Sequence, residues 1–270
     1  MEYKKNRDFK VYEIINKDLI INKSIRCIND NTFKNNNKIK NIDFPDSLKI
    51  IGIESFKECK SLTSLTIPNE LQYIGKSAFS GCTSLKYIEI SPKLNCIASS
   101  VFKDCTSLKK VSFTINNNFY SIGERAFESC KSLDKIQIPN SVKIIESKAF
   151  YKCKELDEVT FPKNLKTIGK EAFYFCKFEK IDLPSMLVEI GERAFYKCIH
   201  LKELVVPESV KKIDKYAFRG CNRLKVIEIR KDLDYIGDLI ANKNVTIKCY
   251  KNTNIDKYCK KFLYNVEYLD

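Results

Sequence analysis

Ile74-Gly-Lys-Ser-Ala-Phe79-Ser-Gly-Cys82-Thr-Ser-Leu85-Lys-Tyr-Ile88-Glu-Ile90 is one period of a repeat that occupies most of this 270-residue chain. Phe returns at 33, 56, 79, 102, 127, 150, 173, 195 and 218, at intervals of 23, 23, 23, 25, 23, 23, 22 and 23 residues. Three residues after the last eight of these comes a cysteine: Cys59, Cys82, Cys105, Cys130, Cys153, Cys176, Cys198 and Cys221, with Asn36 in that place in the first unit. Five residues before each Phe lies an isoleucine, from Ile28 and Ile51 to Ile190 and Ile213. Nine units on one template with a period near 23 residues specify a solenoid.

The chemistry of one rung follows from its pattern. The L-x-x-I-x-I segment alternates apolar and polar side chains, which is strand periodicity with one face inward. Proline closes it in many rungs (Pro68, Pro139, Pro162, Pro184, Pro207) and cannot donate to the next ladder bond, so it marks a strand exit. The stretch from Gly75 through Phe79 to Cys82 combines small residues with helix-compatible spacing and suits a short helical turn on the outer side. Ala precedes Phe in six rungs, as expected where a larger side chain strikes the neighbouring rung. A lone rung cannot bury its Phe, Leu and Ile together; stacking does that, which is why such units work only in series.

The unit I-G-x-x-A-F-x-x-C-x-x-L-x-x-I-x-I-P resembles the BspA-like, or Treponema-type, leucine-rich repeat over roughly residues 25–237. The resemblance implies a leucine-rich repeat solenoid: a right-handed curved stack of nine rungs, a parallel sheet along one face and short helical turns on the other. It also implies non-catalytic recognition, since such proteins are described as adhesins and interaction modules. The chain departs from the pattern at Asn117 and Asn118, within a two-residue insertion, and at Lys177-Phe178, a one-residue deletion; a local bulge is expected at each. Residues 1–24 read as an N-terminal cap containing a hairpin, 25–237 as the repeats, and 238–270 as a C-terminal cap with a strand near Val245, helical spacing from Ile255 to Phe262 and a last strand near Val266. Capped ends predict a monomer.

Composition narrows the function. At 44% hydrophobic and 30% charged residues the chain forms a core, and no apolar run approaches the 18 residues of a membrane span. Charged Met1–Asp8 is not followed by an apolar core, so no secretory leader is expected. Of twelve cysteines, eight share one repeat position, where cysteine serves as a small hydrophobe. Neighbouring rungs would bring such cysteines within disulfide range, but without a leader a reduced ladder and a cytoplasmic location are expected, with export to the cell surface by a non-classical route as the alternative. No close C-x-x-C pair exists to hold zinc. His200 follows Cys198 by two residues, but that cysteine belongs to the interior ladder and nothing orients the pair. The glycines fall at repeat positions and make no phosphate cradle. No enzyme, cofactor or metal is expected.

Recognition is expected on the concave sheet face, the solvent side of the strands. One column runs Ser64, Tyr87, Lys110, Lys135, Glu158, Lys180, Glu203, Val226, and a second runs Thr66, Glu89, Ser112, Gln137, Thr160, Asp182, Val205, Glu228. Tyr87, Lys110, Lys135, Glu158, Lys180 and Glu203 are the candidate partner-binding residues. The net charge of +14 raises nucleic acid as a partner, but the columns are mixed in sign and most lysines fall on the outer turns, so nucleic acid is the least favoured reading. One short motif stands out. Lys109-Lys110-Val111-Ser-Phe113 matches the R/K-V-x-F pattern by which regulatory subunits dock on protein phosphatase 1, a mode in which Val and Phe fill apolar pockets. Val111 and Phe113 are also inward strand positions of the repeat, which predicts that they are core. The sequence therefore points to a protein-binding module, with the phosphatase catalytic subunit as its most specific candidate partner and a surface adhesin for matrix proteins as the alternative.

Overall fold

The computed structural model describes residues 11–114 and 118–270; Phe9 and Lys10 of the N-terminal segment and Asn117 of the insertion lie outside them. It is a parallel β-solenoid of about eleven turns. Most rungs carry two short strands joined at a corner. The corner is a tight turn: the carbonyls of Pro68, Pro139, Pro162, Pro184 and Pro207 accept from the amide three residues on at 3.0–3.1 Å. The residue that donates there, such as Leu71, Val142 or Leu187, is buried. Proline thus both ends the strand and presets the turn that follows.

The second strands form the more regular ladder, in two pieces, the first made of Cys27–Ile28, Ile50–Ile51 and Tyr73–Ile74. Cys96–Ile97, Ser121–Ile122, Ile144–Ile145, Thr167–Ile168, Glu189–Ile190, Lys212–Ile213 and Tyr235–Ile236 make one seven-stranded parallel sheet, each isoleucine in register with the next. The first strands form a ladder in four pieces. Leu65–Thr66, Tyr87–Ile90 and Lys110–Phe113 make one; Lys135–Gln137 and Glu158–Thr160 another; Glu203–Val206, Val226–Ile229, Thr246–Cys249 and Asn265–Tyr268 a third. The fourth lies at the N-terminus, where Tyr12–Ile15 turns back antiparallel on Asp18–Ile21, which pairs parallel with Asn41–Asp43. Strands on both sides of the nine Phe rungs therefore continue the stack, so the solenoid is longer than that count.

The outer segments are not helical. Their amides alternate between two partners. Ala78, Ser80 and Cys82 donate back three residues to Gly75, Ser77 and Phe79, whereas Ser77, Phe79 and Gly81 donate forward to the carbonyls of Ser99, Val101 and Lys103 in the next rung. Alternation requires a left-handed residue on each side of the Phe, as at Ser100 and Asp104 (φ 59° and 58°), Lys148 and Lys152 (both 59°), or Arg193 and Lys197 (54° and 58°). That conformation costs about 1–2 kcal/mol for a residue with a Cβ, and the three inter-rung hydrogen bonds contribute about 0.5–1.5 kcal/mol each. The two nearly cancel, so it is burial of the apolar column between the segments that decides in favour of the arch.

That column is a stack of nine phenylalanine rings, from Phe33 to Phe218, with centroids 5.1–5.9 Å apart and planes within 19° of each other. Beside it the cysteine thiols donate to the Phe carbonyl of the preceding rung, for example Cys153 Sγ to Phe127 O at 3.1 Å and Cys105 Sγ to Phe79 O at 3.2 Å. Ala78, Ala126, Ala149, Ala172, Ala194 and Ala217 are fully buried, but Val101 fills the same position without exposure, so the place admits a β-branched residue. Ser55 occupies it too, and its hydroxyl is buried without a partner.

Both irregularities of the repeat appear as breaks in the first-strand ladder. At the insertion, Phe119 takes the corner position and packs edge-on against Phe113 at 5.3 Å, while Lys110–Phe113 and Lys135–Gln137 are not paired. At the deletion, Phe178 is buried in place of the usual leucine and packs edge-on against Phe173 and Phe195 at 5.6 and 6.3 Å; no strand forms over 180–183. The C-terminal end is closed by side chains. Helix Asn254–Phe262 begins at Thr253, which accepts from the Asp256 amide. Tyr258 Oη accepts from Ile240 N at 3.0 Å, and Tyr264 Oη accepts from Ala241 N and donates to Ala241 O. The Tyr264 hydroxyl thus supplies the hydrogen bond to Ala241 N that a further outer turn would have made.

Candidate functional site

Strand alternation places the two predicted columns on the solvent face, and the parallel register lines them up. Lys110 stands beside Tyr87, Lys135 beside Glu158 and Glu203 beside Val226. In the second column Ser112 stands beside Glu89, Gln137 beside Thr160 and Val205 beside Glu228. Tyr87, Lys110, Lys135, Glu158, Lys180 and Glu203 are all exposed, and Tyr87 and Val205 each keep 51% of their surface. Lys180 pairs with Asp182 at 3.2 Å in the strandless rung.

The breaks in the ladder divide these six residues. Tyr87 and Lys110 belong to one sheet piece, Lys135 and Glu158 to the next, Lys180 to the rung without a strand, and Glu203 to the last. At the first break the solvent face opens into a cleft of about 780 Å³ bordered by Lys110, Ser112, Lys135, Glu158, Thr160 and Lys163. A smaller one, of about 300 Å³, lies at the second break beside Lys180, Asp182, Glu203 and Val205. The sequence columns therefore meet a relief they did not contain: Lys163, Asn140 and Phe161 at the strand exits join the lining of the larger cleft. Their only signal in the sequence was proximity to Pro139 and Pro162.

The phosphatase-type motif sits in the wall of that cleft, but with its apolar residues turned inward. Val111 is 6% exposed and pairs with Ile88, and half-buried Phe113 pairs with Ile90 and packs on the core. Lys109 and Lys110 are exposed, Lys109 lying 3.9 Å from Asp134. Presenting Val111 and Phe113 to a partner would forfeit about 1.5–3 kcal/mol of burial for each and would detach the strand from Tyr87–Ile90.

Cysteine chemistry is equally constrained. All twelve are free thiols; Cys27 and Cys96 are exposed and the other ten buried. Burial pushes the Cys59 thiol up to about 11 and raises Cys82, Cys130, Cys176 and Cys198 well above the ordinary range. Cys198 donates to Phe173 O at 3.2 Å, and a thiol held protonated is the reverse of what a Cys–His nucleophile requires. The ladder is sealed from solvent, so its cysteines carry no signal of compartment. No described helix is long and apolar enough to cross a membrane, and no cluster of metal-ligating side chains occurs among the described residues.

Residues 8–134 and 120–248 match the family model of the BspA type leucine rich repeat region. Among solved structures, a leucine-rich repeat protein from Eubacterium ventriosum is 19% identical, with 88% of this chain and 75% of that one covered and a TM-score of 0.56, a likeness of fold alone. A leucine-rich repeat protein from Bacteroides ovatus is 26% identical over 87% of this chain and 84% of its own, with a TM-score of 0.42. The pneumococcal vaccine antigen PcpA is 20% identical over 94% and 79%, with a TM-score of 0.46. No curated protein matches the chain.

Proposed function

The chain belongs to the BspA-type leucine-rich repeat family, and from that premise we propose that it is a non-enzymatic recognition module that binds a protein partner across the solvent face of its first-strand ladder. The observation that carries this reading is the pair of aligned, exposed columns of mixed sign, with half-exposed Tyr87 and Val205 set among them and clefts at the breaks. Aromatic and aliphatic anchors in pockets, ringed by charges of both signs, are what a protein surface complements. Nucleic acid would instead call for one sign along the track.

Two partner classes fit. A matrix protein bound at the cell surface is favoured over a phosphatase catalytic subunit, because the docking motif of the latter is committed to the sheet; phosphatase binding would have to use the same face without Val111 and Phe113. Replacing Tyr87, Lys110, Lys135 and Lys180 together with alanine should abolish capture of the partner, tested on immobilised matrix proteins and on purified phosphatase 1 catalytic subunit. Unchanged binding would remove the site from this face. Surface labelling of intact cells separates the two classes: an unlabelled protein retained by the phosphatase would restore the cytoplasmic reading.

A further inference from the structure

The outer turns carry a second surface, independent of the strand face. Tyr151, Tyr174 and Tyr196 occupy the position after Phe in three consecutive rungs. Their rings stack on one another at 4.7 and 5.2 Å, with planes 27° and 12° apart. Cations cover the remaining ring faces: Lys152 lies 5.1 Å and Lys148 5.6 Å from the Tyr151 centroid, and Lys197 5.7 Å from that of Tyr196. In the next rung Arg219 lies over Tyr216 at 5.6 Å.

The charges divide into spent and unspent. Glu171 and Glu192 are held by Lys148, Lys170 and Arg193 at 2.9–3.6 Å. Among the described residues Lys152, Lys197 and Arg219 have no carboxylate partner, and no protein group hydrogen-bonds the hydroxyls of Tyr151, Tyr174 and Tyr196. Lys152 and Lys197 hold the same register two rungs apart, roughly 10 Å along the stack. What remains open is a line of phenolic donors flanked by free cations, all suited to anionic oxygens.

We propose that this tyrosine stack binds a sulfated polysaccharide. The ring faces are taken by other rings and by cations, so bases have no platform to stack on, and stacking is what holds single-stranded nucleic acid on an aromatic surface. The backbone amides here are consumed by bonds between rungs, such as Phe150 N to Ala172 O and Lys152 N to Tyr174 O, so a peptide strand has no edge to join. A flexible chain bearing repeated sulfates needs neither; it accepts hydrogen bonds from hydroxyl and ammonium groups and keeps its charge at any physiological pH.

The test is binding of a heparin oligosaccharide to the whole protein by titration calorimetry. The triple variant Lys152→Gln, Lys197→Gln, Arg219→Gln should weaken it roughly tenfold, at a few-fold per exposed ionic contact. Tyr151→Phe, Tyr174→Phe, Tyr196→Phe keeps the rings and removes only the donors, and should weaken it severalfold with an unchanged circular dichroism spectrum. A charge-matched control, Lys211→Gln, Lys225→Gln, Lys231→Gln, should stay within twofold of the parent. Equal loss in patch and control variants would overturn the site, and polyglutamate or oligo-dT binding the parent as tightly as heparin would overturn the assignment to sulfate.

Discussion

The phenylalanine stack makes a position-dependent prediction. Phe150 lies between Phe127 and Phe173, at 5.3 and 5.2 Å with planes 9° and 5° apart. Phe218 stacks on Phe195 alone, at 5.6 Å and 9°; on its far side the rung offers Ala241, reached through the bond from Phe218 N to Ile240 O. Both rings are fully buried, so replacing either with leucine removes a similar apolar area and leaves a similar mismatch of shape. They differ by one aromatic pair, worth about 0.5–1.5 kcal/mol beyond area burial. Phe150→Leu, which loses two pairs and fills its site imperfectly, should cost about 2–4 kcal/mol; Phe218→Leu should cost less by the value of one pair. The assay is urea denaturation followed by far-ultraviolet circular dichroism, comparing midpoints at a common slope. Equal losses, or a larger loss at Phe218, would refute the claim that the rings stabilise one another pair by pair, leaving burial of each ring alone as the source of stability.

Other expectations follow from the same geometry. Ser55→Ala removes a buried hydroxyl without a partner from a column filled by alanine in six of the nine rungs, and should be neutral or raise stability by up to about 1 kcal/mol, read as a higher melting temperature. Ellman's reagent on the native protein should titrate two thiols, Cys27 and Cys96, and release the other ten only in denaturant; more than two accessible thiols would contradict the sealed ladder. Glu70 bridges Lys49 and Lys93 at 2.6 Å, and these ammoniums hold its carboxyl down at about 2; a carboxyl-detected NMR titration should find it there, and Lys49→Met, Lys93→Met should return it to the usual carboxylate range. At the C-terminal cap the Lys260 ammonium, followed by the Asn252 amide and the Tyr268 hydroxyl, lowers the Asp256 pKa. A depressed carboxylate contributes stability that is present above its unfolded pKa and lost as pH falls through the folded one, so the hydrogen-exchange protection factors of Ile240 and Ala241, taken relative to the intrinsic rate at each pH, should fall in acid, and Asp256→Asn should flatten that dependence.

The strand face was legible in the sequence residue by residue, because alternation along a strand and a fixed rung length together assign each side chain a face and a neighbour. Lys110 beside Tyr87 and Glu203 beside Val226 needed only counting. The clefts were not legible. They arise where a two-residue insertion and a one-residue deletion interrupt pairing, and the response of the stack to a length change depends on which ring, Phe119 or Phe178, finds room in the core. The tyrosine stack left a trace, Tyr after Phe in three successive rungs, but its meaning depends on the ring spacing and on which lysines are already spent on Glu171 and Glu192. The outer turns were misread as helical because i to i+3 spacing is shared by a helix and by a chain of tight turns; the choice between them is made by hydrogen bonds to the next rung, which a local pattern does not contain.

What the sequence alone determined is the repeat, its register, the inward set of Phe, Cys, Leu and Ile, and the faces of the strands, since all of these follow from periodicity within one chain. What only the tertiary structure decided is which groups remain available. Val111 and Phe113 are claimed by the core, ten thiols are sealed away from solvent, and Lys152, Lys197 and Arg219 are left without a carboxylate partner among the described residues. Availability is a matter of which atoms across neighbouring rungs have already satisfied one another, and that is settled by contacts between residues some 23 positions apart.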